Sequence, residues 1–294
     1  MPEQTLTMYD SLFSLHTGPQ LAVENQIIRV PLQELHPFHD HPFHVKDDAD
    51  MEATVDSIKR KGVLVPGIVR IRPAGGYELV AGHRRKRGSE LAGKTDMPVI
   101  VMDLDDDDAT IIMVDTNIQR TDLLPSEKAY AYKMRLDAMK RKAGRSKDNQ
   151  IHKRSDQILA ELSGESRNTI QRYIRLTELI PELLDLVDAK KIQMIAGSDI
   201  SYLQKSEQTR LLILIKEHSI YPNGEQAVRL KEYSRQGQLS DSVMRSVMLQ
   251  AEKVSNRITL PNKTLQKYFP NHYNKKDMEQ VIIQLLEQWK QEQG

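Results

Sequence analysis

The pattern of hydrophobic and polar positions changes once along the chain. From Ile27 to about Asp103, short apolar runs of strand length alternate with stretches whose apolar residues recur at helical spacing. Beyond Asp108 the spacing is helical apart from short breaks, while residues 1–26 are polar and weakly patterned. The pattern predicts a tail over residues 1–26, then an α+β domain, then helical structure in the rest of the chain.

Turn-forming residues divide the α+β region into predicted elements. Gly62 would end the first helix, since glycine readily takes the left-handed backbone found after helix C-termini. Gly82 would lead from a strand directly into a helix, whose first N–H groups and dipole favour an anion. The predicted strands are near Ile27–Pro31 and at 63–72, 77–81 and 97–103, and the predicted helices are at 51–61 and 83–91.

Composition limits the class of protein. A chain of 294 residues with 39% hydrophobic residues predicts two or three folding units with small cores, which disfavours one large enzyme barrel. The absence of cysteine excludes disulfides, thiolate zinc sites and cysteine nucleophiles, and it fits a reducing compartment. No apolar stretch approaches the length of a membrane span, and the first residues lack a secretory leader pattern. A cytoplasmic protein is expected.

The net charge of +1 hides a segregated distribution of charge. Residues 140–154 contain seven Lys and Arg against one acid, Asp148, whereas residues 103–108 contain five aspartates. Segregation of this kind is expected where one face of a protein meets a polyanion. Because residues 140–154 also contain glycine and few large apolar side chains, they predict a flexible basic linker. The aspartates at 105–108 are predicted to cap the helix that follows them.

Residues 156–175 have the spacing of a helix-turn-helix. Ala160 is the small residue needed where the two helices cross, and Gly164 suits the left-handed turn. Ile170 is placed to lock the second helix onto the first, and Ser166 to cap its start. The sequence therefore predicts a DNA-binding domain at residues 155–250 that reads a specific sequence.

The second predicted helix carries long and amide side chains able to donate to base edges or phosphates. The predicted DNA-binding residues, with one from the basic linker, are Arg154, Ser166, Arg167, Asn168, Thr169, Gln171, Arg172 and Arg175. An ordinary helical hairpin with a solvated charged face is the alternative. The agreement of turn spacing, cap and basic lead-in favours DNA binding.

Several segments carry a family resemblance. Residues 80–93, VAGHRRKRGSELAG, followed by MPVIV at 97–101, resemble the central motif of the ParB partition proteins. GVLVP at 62–66 and NIQR at 117–120 resemble two further motifs of that family. The resemblance covers about residues 27–215 and is specific through the order of its motifs. Its variations are similar to those of a ParB/RepB-type branch found on mobile elements.

The resemblance implies a ParB/sulfiredoxin-like α+β domain at residues 27–139, an all-α helix-turn-helix domain, and a small helical dimerisation region at 251–294. It implies a homodimer that binds a centromere-like DNA site, binds CTP with Mg²⁺, and closes around DNA as a sliding clamp in plasmid, chromosome or mobile-element segregation. A ParA-type ATPase is the implied partner, and the nucleoid or plasmid the implied location. The implied nucleotide-binding residues are Gly82, His83, Arg84, Arg85, Asn117 and Arg120, with Asn117 also the implied metal ligand.

The chain departs from the family pattern at its acidic positions. His83 and Thr116 stand where the family has glutamates, and Asp115 lies one place before Thr116. An early family motif is also altered, at residues 36–43. Because those carboxylates serve the metal and hydrolysis, the resemblance implies CTP binding with at most weak CTPase activity.

Other features admit simpler interpretations. A histidine cluster near Pro37 and Pro42 is expected to be spread along an extended chain and to bind no metal: His36, His39, His41 and His44. An apolar stripe on the helix at 278–291 completes a local core or pairs with a second copy, and the dimer is favoured. A transcriptional regulator of a mobile element, using the same fold without partition, remains the alternative function. A nuclease is disfavoured because no carboxylate cluster adjoins the basic turn.

Overall fold

A computed structural model describes residues 27–120, 122–145, 159–160, 163–249, 262–270 and 272–292. The chain divides into two compact units, Met1–Leu249 and Gln250–Gly294. Within the described ranges, no helix combines the length and apolar character that a bilayer crossing requires. The predicted tail and residue Arg154 lie outside the described residues.

A mixed five-stranded sheet forms the first part of the larger unit. Its strands are β1 (Ile27–Pro31), β2 (Leu35–Pro37), β3 (Gly67–Ile71), β4 (Tyr77–Ala81) and β5 (Asp96–Val101), in the order β1-β5-β3-β4-β2. The pairs β1·β5 and β3·β4 are antiparallel, whereas β3·β5 and β2·β4 are parallel. The four predicted strands are present, and β2 is a further strand whose three residues are too few to show an alternating pattern.

Three helices pack with this sheet: α1 (Ala49–Lys61), α2 (His83–Leu91) and α3 (Asp106–Asp115). The Asp48 carboxylate caps α1 by accepting from Met51 N, and Gly62 ends it with φ +72°. Asp105 caps α3 by accepting from Asp108 N, which confirms the predicted cap, whereas Asp106, Asp107 and Asp108 lie within α3 and Asp107 is buried. The first part of the larger unit therefore has the expected α+β architecture.

A long helix, α4 (Pro125–Arg145), joins the α+β part to the helical part. The first six residues of the predicted linker, 140–145, belong to this helix, which corrects the linker's start. Arg141 Nη2 lies 2.6 Å from the buried Asp107 carboxylate, and Lys142 pairs with Asp108. These ion pairs hold the end of α4 against the start of α3, so part of the basic run binds the aspartates of the same chain.

The rest of the larger unit is helical. Its helices are α5 (Arg167–Leu176), α6 (Pro181–Asp188), α7 (Met194–Ile200), α8 (Lys205–His218), α9 (Gly224–Arg235) and α10 (Asp241–Leu249). Leu176, Leu183, Ile200 and Leu211 lie in the fully buried centre of this part. A second core cluster contains Phe43 and Val80 from the α+β part together with residues of α3 and α4 and with Leu159 and Ile170. The predicted helix-turn-helix thus shares a core with the α+β part instead of forming a separate domain.

The second unit contains two described helices, α11 (Asn262–Leu265) and α12 (Lys275–Glu292). Helix α12 matches the predicted C-terminal helix, and none of its residues is buried. Its large apolar side chains Ile283, Leu285, Leu286 and Trp289 are each about half exposed or more. Met278, Val281 and Ile282 of the predicted stripe are half-buried, so the described part of α12 leaves both alternatives open, a local core and pairing with a second copy.

Candidate nucleotide pocket and DNA-binding helix

The turn after β4 brings the chain into a helix without an intervening loop. Gly82 caps α2 with φ +112°, a left-handed conformation that side chains disfavour. A Cβ atom on Gly82 would lie 3.2 Å from Gly67 Cα and 3.3 Å from the Arg85 guanidinium. Glycine is therefore needed here both for its conformation and for the close approach of β3. The first backbone N–H groups of α2 have no partner within the helix and point toward its N-terminal side.

A cavity of about 200 Å³ opens at this turn. All six residues predicted to bind nucleotide line it: Gly82, His83, Arg84, Arg85, Asn117 and Arg120. The remaining lining residues are His41, Phe43, Val45, Ala81 and Thr116. The segment after β2, which contributes the first three of these, was not predicted to belong to the site. The sequence of this segment did not indicate a binding site, because its altered motif at residues 36–43 matches no phosphate-binding pattern.

Two of the lining arginines are paired with carboxylates from neighbouring segments. Arg84 Nη2 lies 3.0 Å from Asp48 Oδ1, and Arg120 Nη2 lies 2.6 Å from Asp122 Oδ2. Hydrogen bonds from these guanidinium groups lower the pKa of both Asp48 and Asp122. Both arginines are about one quarter exposed, so they keep positive charge at the cavity while their side chains are held in place.

Arg85 is held by the backbone instead. Its Nη1 donates to Val65 O at 2.7 Å and to Pro66 O at 2.5 Å. These bonds fasten the first turn of α2 to the segment before β3. A guanidinium fixed in this way provides a preorganised cation beside the free N–H groups of the helix, which suits phosphate oxygens.

The polar residues after α3 contribute one amide and no carboxylate. Asn117 Nδ2 donates to Met113 O at 2.8 Å, which fixes the amide group at the cavity wall. Asp115 does not reach the site, because it forms an ion pair with Arg135 at 2.5 Å. No carboxylate is among the residues that line the cavity in the described part of the chain. Because Mg²⁺ prefers oxygen ligands, with carboxylates foremost, the lining residues do not fit a resident Mg²⁺ ion.

Two histidine rings form one wall of the cavity. The ring centres of His41 and His83 are 3.9 Å apart. Burial lowers the pKa of His83 to about 3, and burial also lowers the pKa of His41. Both rings are therefore neutral near pH 7. At the position where the ParB motif has a glutamate, this chain has a neutral ring and not a cation.

The other histidines of the early cluster have separate partners. His39 Nδ1 lies 3.2 Å from Glu78 Oε1, and His44 Nδ1 lies 3.0 Å from Glu127 Oε1. Glu127 also accepts from His44 N at 2.8 Å. The cluster is thus spread along the segment, as the two prolines predict, except that His41 meets His83 from a distant part of the sequence.

The turn and second helix of the predicted helix-turn-helix have the expected local geometry, while most of its first helix lies outside the described residues. Gly164 has φ +69°, the left-handed turn that its position requires. Ser166 Oγ caps α5 by accepting from Thr169 N at 3.1 Å. Leu159 and Ile170 are fully buried, so the second helix is locked in place on its inner face.

The outer face of α5 carries the predicted DNA-binding side chains. Arg167, Asn168, Gln171 and Arg172 are exposed, as is Ser166, while Thr169 is half-buried. Arg175 differs, because its Nη2 donates to Ser201 O at 2.8 Å within the same chain. The structure therefore presents most of the predicted set to solvent and uses Arg175 to support the helix.

These features define a class of protein: an α+β domain with a cationic turn-and-helix cavity, followed by a helical region with an exposed polar helix. Residues 16–118 match the ParB N-terminal domain family. The match covers the α+β part of the chain and agrees with the resemblance seen in its motifs.

Most of the similar curated proteins are named as chromosome-partitioning proteins, and one, from Lysinibacillus sphaericus, is named as a nucleoid occlusion protein. The chain is 33% identical over 186 residues to the chromosome-partitioning protein Spo0J of Thermus thermophilus, covering 63% of this chain and 62% of the relative. It is 35% identical over 170 residues to the probable chromosome 1-partitioning protein ParB of Deinococcus radiodurans, covering 58% of this chain and 53% of the relative. In both cases the match spans less than two thirds of the relative's length.

Two solved structures of C-terminally truncated ParB from Caulobacter crescentus are also similar. The complex with the centromeric parS site is 25% identical with a TM-score of 0.43, covering 71% of this chain and 99% of that chain. The complex with CTP-gamma-S is 28% identical with a TM-score of 0.31, covering 65% of this chain and 99% of that chain. At these TM-scores the superpositions assign no role to any residue of this chain.

Proposed function

We propose that the chain is a sequence-specific DNA-binding partition protein that binds a centromere-like site and acts as a CTP-dependent DNA clamp. Its similarity to chromosome-partitioning proteins supports the partition role. The observation that carries the DNA-binding role is the outer face of α5, where exposed donors project from a helix locked by Ile170. We call α5 the recognition helix below.

The recognition helix would enter the major groove with its N-terminal half. Arg167, Asn168, Gln171 and Arg172 supply guanidinium and amide groups, which are the side chains that make paired hydrogen bonds to purine edges. Ser166 and Thr169, at the helix start, are suited to phosphate contacts that fix the register of the helix. Arg154 stays a predicted DNA contact outside the described residues.

The cavity at Gly82 would hold the phosphates of CTP. The first N–H groups of α2, with Arg84, Arg85 and Arg120, provide donors of matching charge. Arg84 and Arg120 would exchange their carboxylate partners for phosphate oxygens, which leaves Asp48 and Asp122 to be rearranged or solvated. Among the described residues that line the cavity, none is a carboxylate that could activate water, which supports nucleotide binding with weak hydrolysis.

The start of α4 offers a path between this cavity and the recognition helix. Glu127 accepts from His44 N in the segment that lines the cavity. The next residue, Lys128, lies 3.2 Å from Glu165 Oε1 in the helix-turn-helix turn. Because these contacts come from adjacent residues of one helix, a nucleotide-induced movement of residues 38–48 would reach the DNA-binding turn.

The proposal includes a homodimer and a partner ATPase of the ParA type. The exposed apolar face of α12 would pair with the same face of a second copy, since pairing removes that surface from water. The ATPase contact is assigned to the N-terminal tail, which lies outside the described residues.

Chromatin immunoprecipitation combined with a CTP-dependent loading assay tests the proposal. A clamp should give binding that spreads for kilobases from its site in cells. In vitro, it should accumulate on closed DNA circles only with CTP and be lost from linear DNA with free ends. Narrow peaks without dependence on CTP would instead favour the transcriptional regulator of a mobile element.

A further inference from the structure

The wall formed by His41 and His83 contains two unused lone pairs. In the described part of the chain, the Nε2 atoms of these two residues are the buried side-chain nitrogens or oxygens that lack a hydrogen-bond partner. Leaving such atoms unsatisfied costs free energy, so a pair of them at one place indicates an absent ligand.

The other nitrogen of the His41 ring fixes its tautomer. His41 Nδ1 lies 2.8 Å from Phe43 O, a carbonyl that accepts only from a protonated nitrogen, so the neutral His41 ring presents a lone pair at Nε2. The Nε2 atom of His83 is likewise buried without a hydrogen-bond partner, and a His83 ring that carries its proton on Nδ1 would present a second lone pair there.

A neutral imidazole that donates its second N–H to a backbone carbonyl is the usual state of a metal-ligating histidine. We propose that His41 and His83 form a two-imidazole site for a divalent transition metal, Zn²⁺ foremost, whose remaining positions are taken by a phosphate oxygen of the bound nucleotide and by water. This proposal adds a metal ion to the proposed nucleotide-binding cavity. It rests on the proposed function only for the phosphate ligand.

The donor set selects the kind of metal. Imidazole nitrogen suits Zn²⁺, Ni²⁺ and Cu²⁺, whereas Mg²⁺ demands oxygen. Among the described lining residues, the side chains that carry oxygen are Thr116 and Asn117. Two protein ligands leave at least two positions open for tetrahedral coordination. The bound phosphate and water would therefore complete the coordination of the metal ion.

The charge around the cavity predicts that metal and phosphate bind together. Arg85 and Lys86 act electrostatically on His83, and Arg120 acts on His41, each disfavouring a further positive charge. A phosphate anion in the cavity offsets this repulsion, so it should raise the affinity for the metal. By thermodynamic linkage the metal should raise phosphate affinity by the same factor.

The position of His41 leaves room for the required adjustment. It lies between β2 and α1 in a segment without regular secondary structure, one residue after Asp40, which has a positive φ of 51°. The two rings are inclined by 46°, so they are not locked in a parallel stack. A shift of residues 38–43 that keeps the bond between His41 Nδ1 and Phe43 O would be needed to bring both Nε2 atoms to one ion. A water molecule bridging the two Nε2 atoms is the competing occupant.

Calorimetric titration of the full chain with Zn²⁺, at free metal concentrations set by a metal buffer, tests the site. It is performed with and without inorganic triphosphate on the wild type, His41→Gln, His83→Gln and the control His218→Gln. His218 lies on α8, where its Nε2 is 3.2 Å from Arg245 Nη1 and far in sequence from the cavity. Nitrogen-15 spectra of the wild-type imidazoles report on the two Nε2 atoms without any substitution.

We expect one Zn²⁺ per chain, tighter binding with triphosphate, and a loss of affinity of about 100-fold in both cavity variants but not in the control. Equal Zn²⁺ binding by all four proteins, or Nε2 resonances that Zn²⁺ does not shift, would overturn the metal site, and the second result is what a bridging water predicts. CTP binding measured in EDTA tests the proposed function separately. If it is absent while the Zn²⁺ site is present, the nucleotide proposal fails and the metal site stands.

Discussion

The guanidinium carbon of Arg175 lies 4.0 Å from the centre of the Tyr202 ring, and Lys231 Nζ approaches the same ring at 4.2 Å. Lys231 also pairs with Asp199 at 2.8 Å. Arg175 thus connects the end of the recognition helix to α7 and α9 through a cation–π contact and its bonds to Ser201. Arg172, one turn earlier, is exposed, so the two arginines have different environments on the same helix.

Substitution of these two arginines should separate the two roles. Arg172→Ala should weaken binding to the specific site by about 1–3 kcal/mol without changing the melting temperature, because the side chain is exposed. Arg175→Ala should lower the free energy of unfolding by about 1–2 kcal/mol through loss of its ring and backbone contacts. Fluorescence anisotropy and urea denaturation measure the two effects. Unchanged specific affinity in Arg172→Ala would remove that residue from the readout.

Arg84 should be required for nucleotide binding but not for folding. Arg84→Ala removes a cavity guanidinium, while Asp48 still caps α1 through Met51 N, so the helix should remain stable. We expect retention of radiolabelled CTP to fall by about 100-fold, the loss of one or two charge-assisted hydrogen bonds to phosphate. The matched control is Arg87→Ala, on the same helix but paired with Asp47 and not lining the cavity. Equal retention by Arg84→Ala and wild type would show that the cavity does not bind the triphosphate through this residue.

Gly82→Ala should affect both the fold and the cavity. The substitution places a Cβ at φ +112° and close to the β3 backbone, and the strain should cost about 1–3 kcal/mol of folding free energy. The free energy of CTP binding should change by more than the free energy of unfolding, because the first turn of α2 must shift to relieve the contact with Gly67. Thermal denaturation with and without CTP checks this. A variant with wild-type stability and affinity would contradict the strained turn.

Much of the site was predictable because it depends on local chemistry. Gly82, Gly164 and Ser166 are residues whose conformation or capping role is decided within a few positions, and the structure agrees with the sequence at each of them. The six predicted cavity residues also meet, since the two segments that carry them follow β4 and α3. Turn and capping geometries of this kind can be predicted because they depend on neighbouring residues in the sequence and not on tertiary contacts.

What the sequence could not predict depends on distant partners. Arg175 has the same local pattern as Arg172, and only the position of Ser201 and Tyr202 separates them. His41 meets His83 across more than forty positions, so nothing in its own segment marks it as a cavity residue. The predicted start of the linker was wrong for the same reason. Arg141 and Lys142 form ion pairs with Asp107 and Asp108 at the start of α3, which is distant in the sequence.

The apolar face of α12 should hold two copies together. Leu285 and Trp289, one turn apart, are 58% and 60% exposed, and substituting both with glutamate would place charges on the face that a second copy would cover. We expect sedimentation to change from dimer to monomer, with the melting of the first unit unchanged. A chain ending at Asn256 should behave in the same way, and a surviving dimer in either protein would assign dimerisation to another surface.

The ion pair between Lys128 and Glu165 should transmit the effect of nucleotide to DNA binding. Lys128→Ala breaks the contact with the turn before the recognition helix, while Glu127 keeps its bonds to His44 on the cavity side. Binding of CTP alone and of DNA alone should each change by less than about threefold, since the pair is partly exposed. The coupling between them, about 1–3 kcal/mol when two sites share a conformational change, should be reduced.

Isothermal titration of DNA into the protein, with and without saturating CTP, measures this coupling directly. Lys140→Ala is the control, because Lys140 lies on the same helix and its pair with Asp137 stays within that helix. Full coupling in Lys140→Ala and reduced coupling in Lys128→Ala would place the path at the first turn of α4. If both variants couple the ligands as wild type does, the two sites communicate by a route that bypasses this ion pair, such as the core that Ile170 shares with the α+β part.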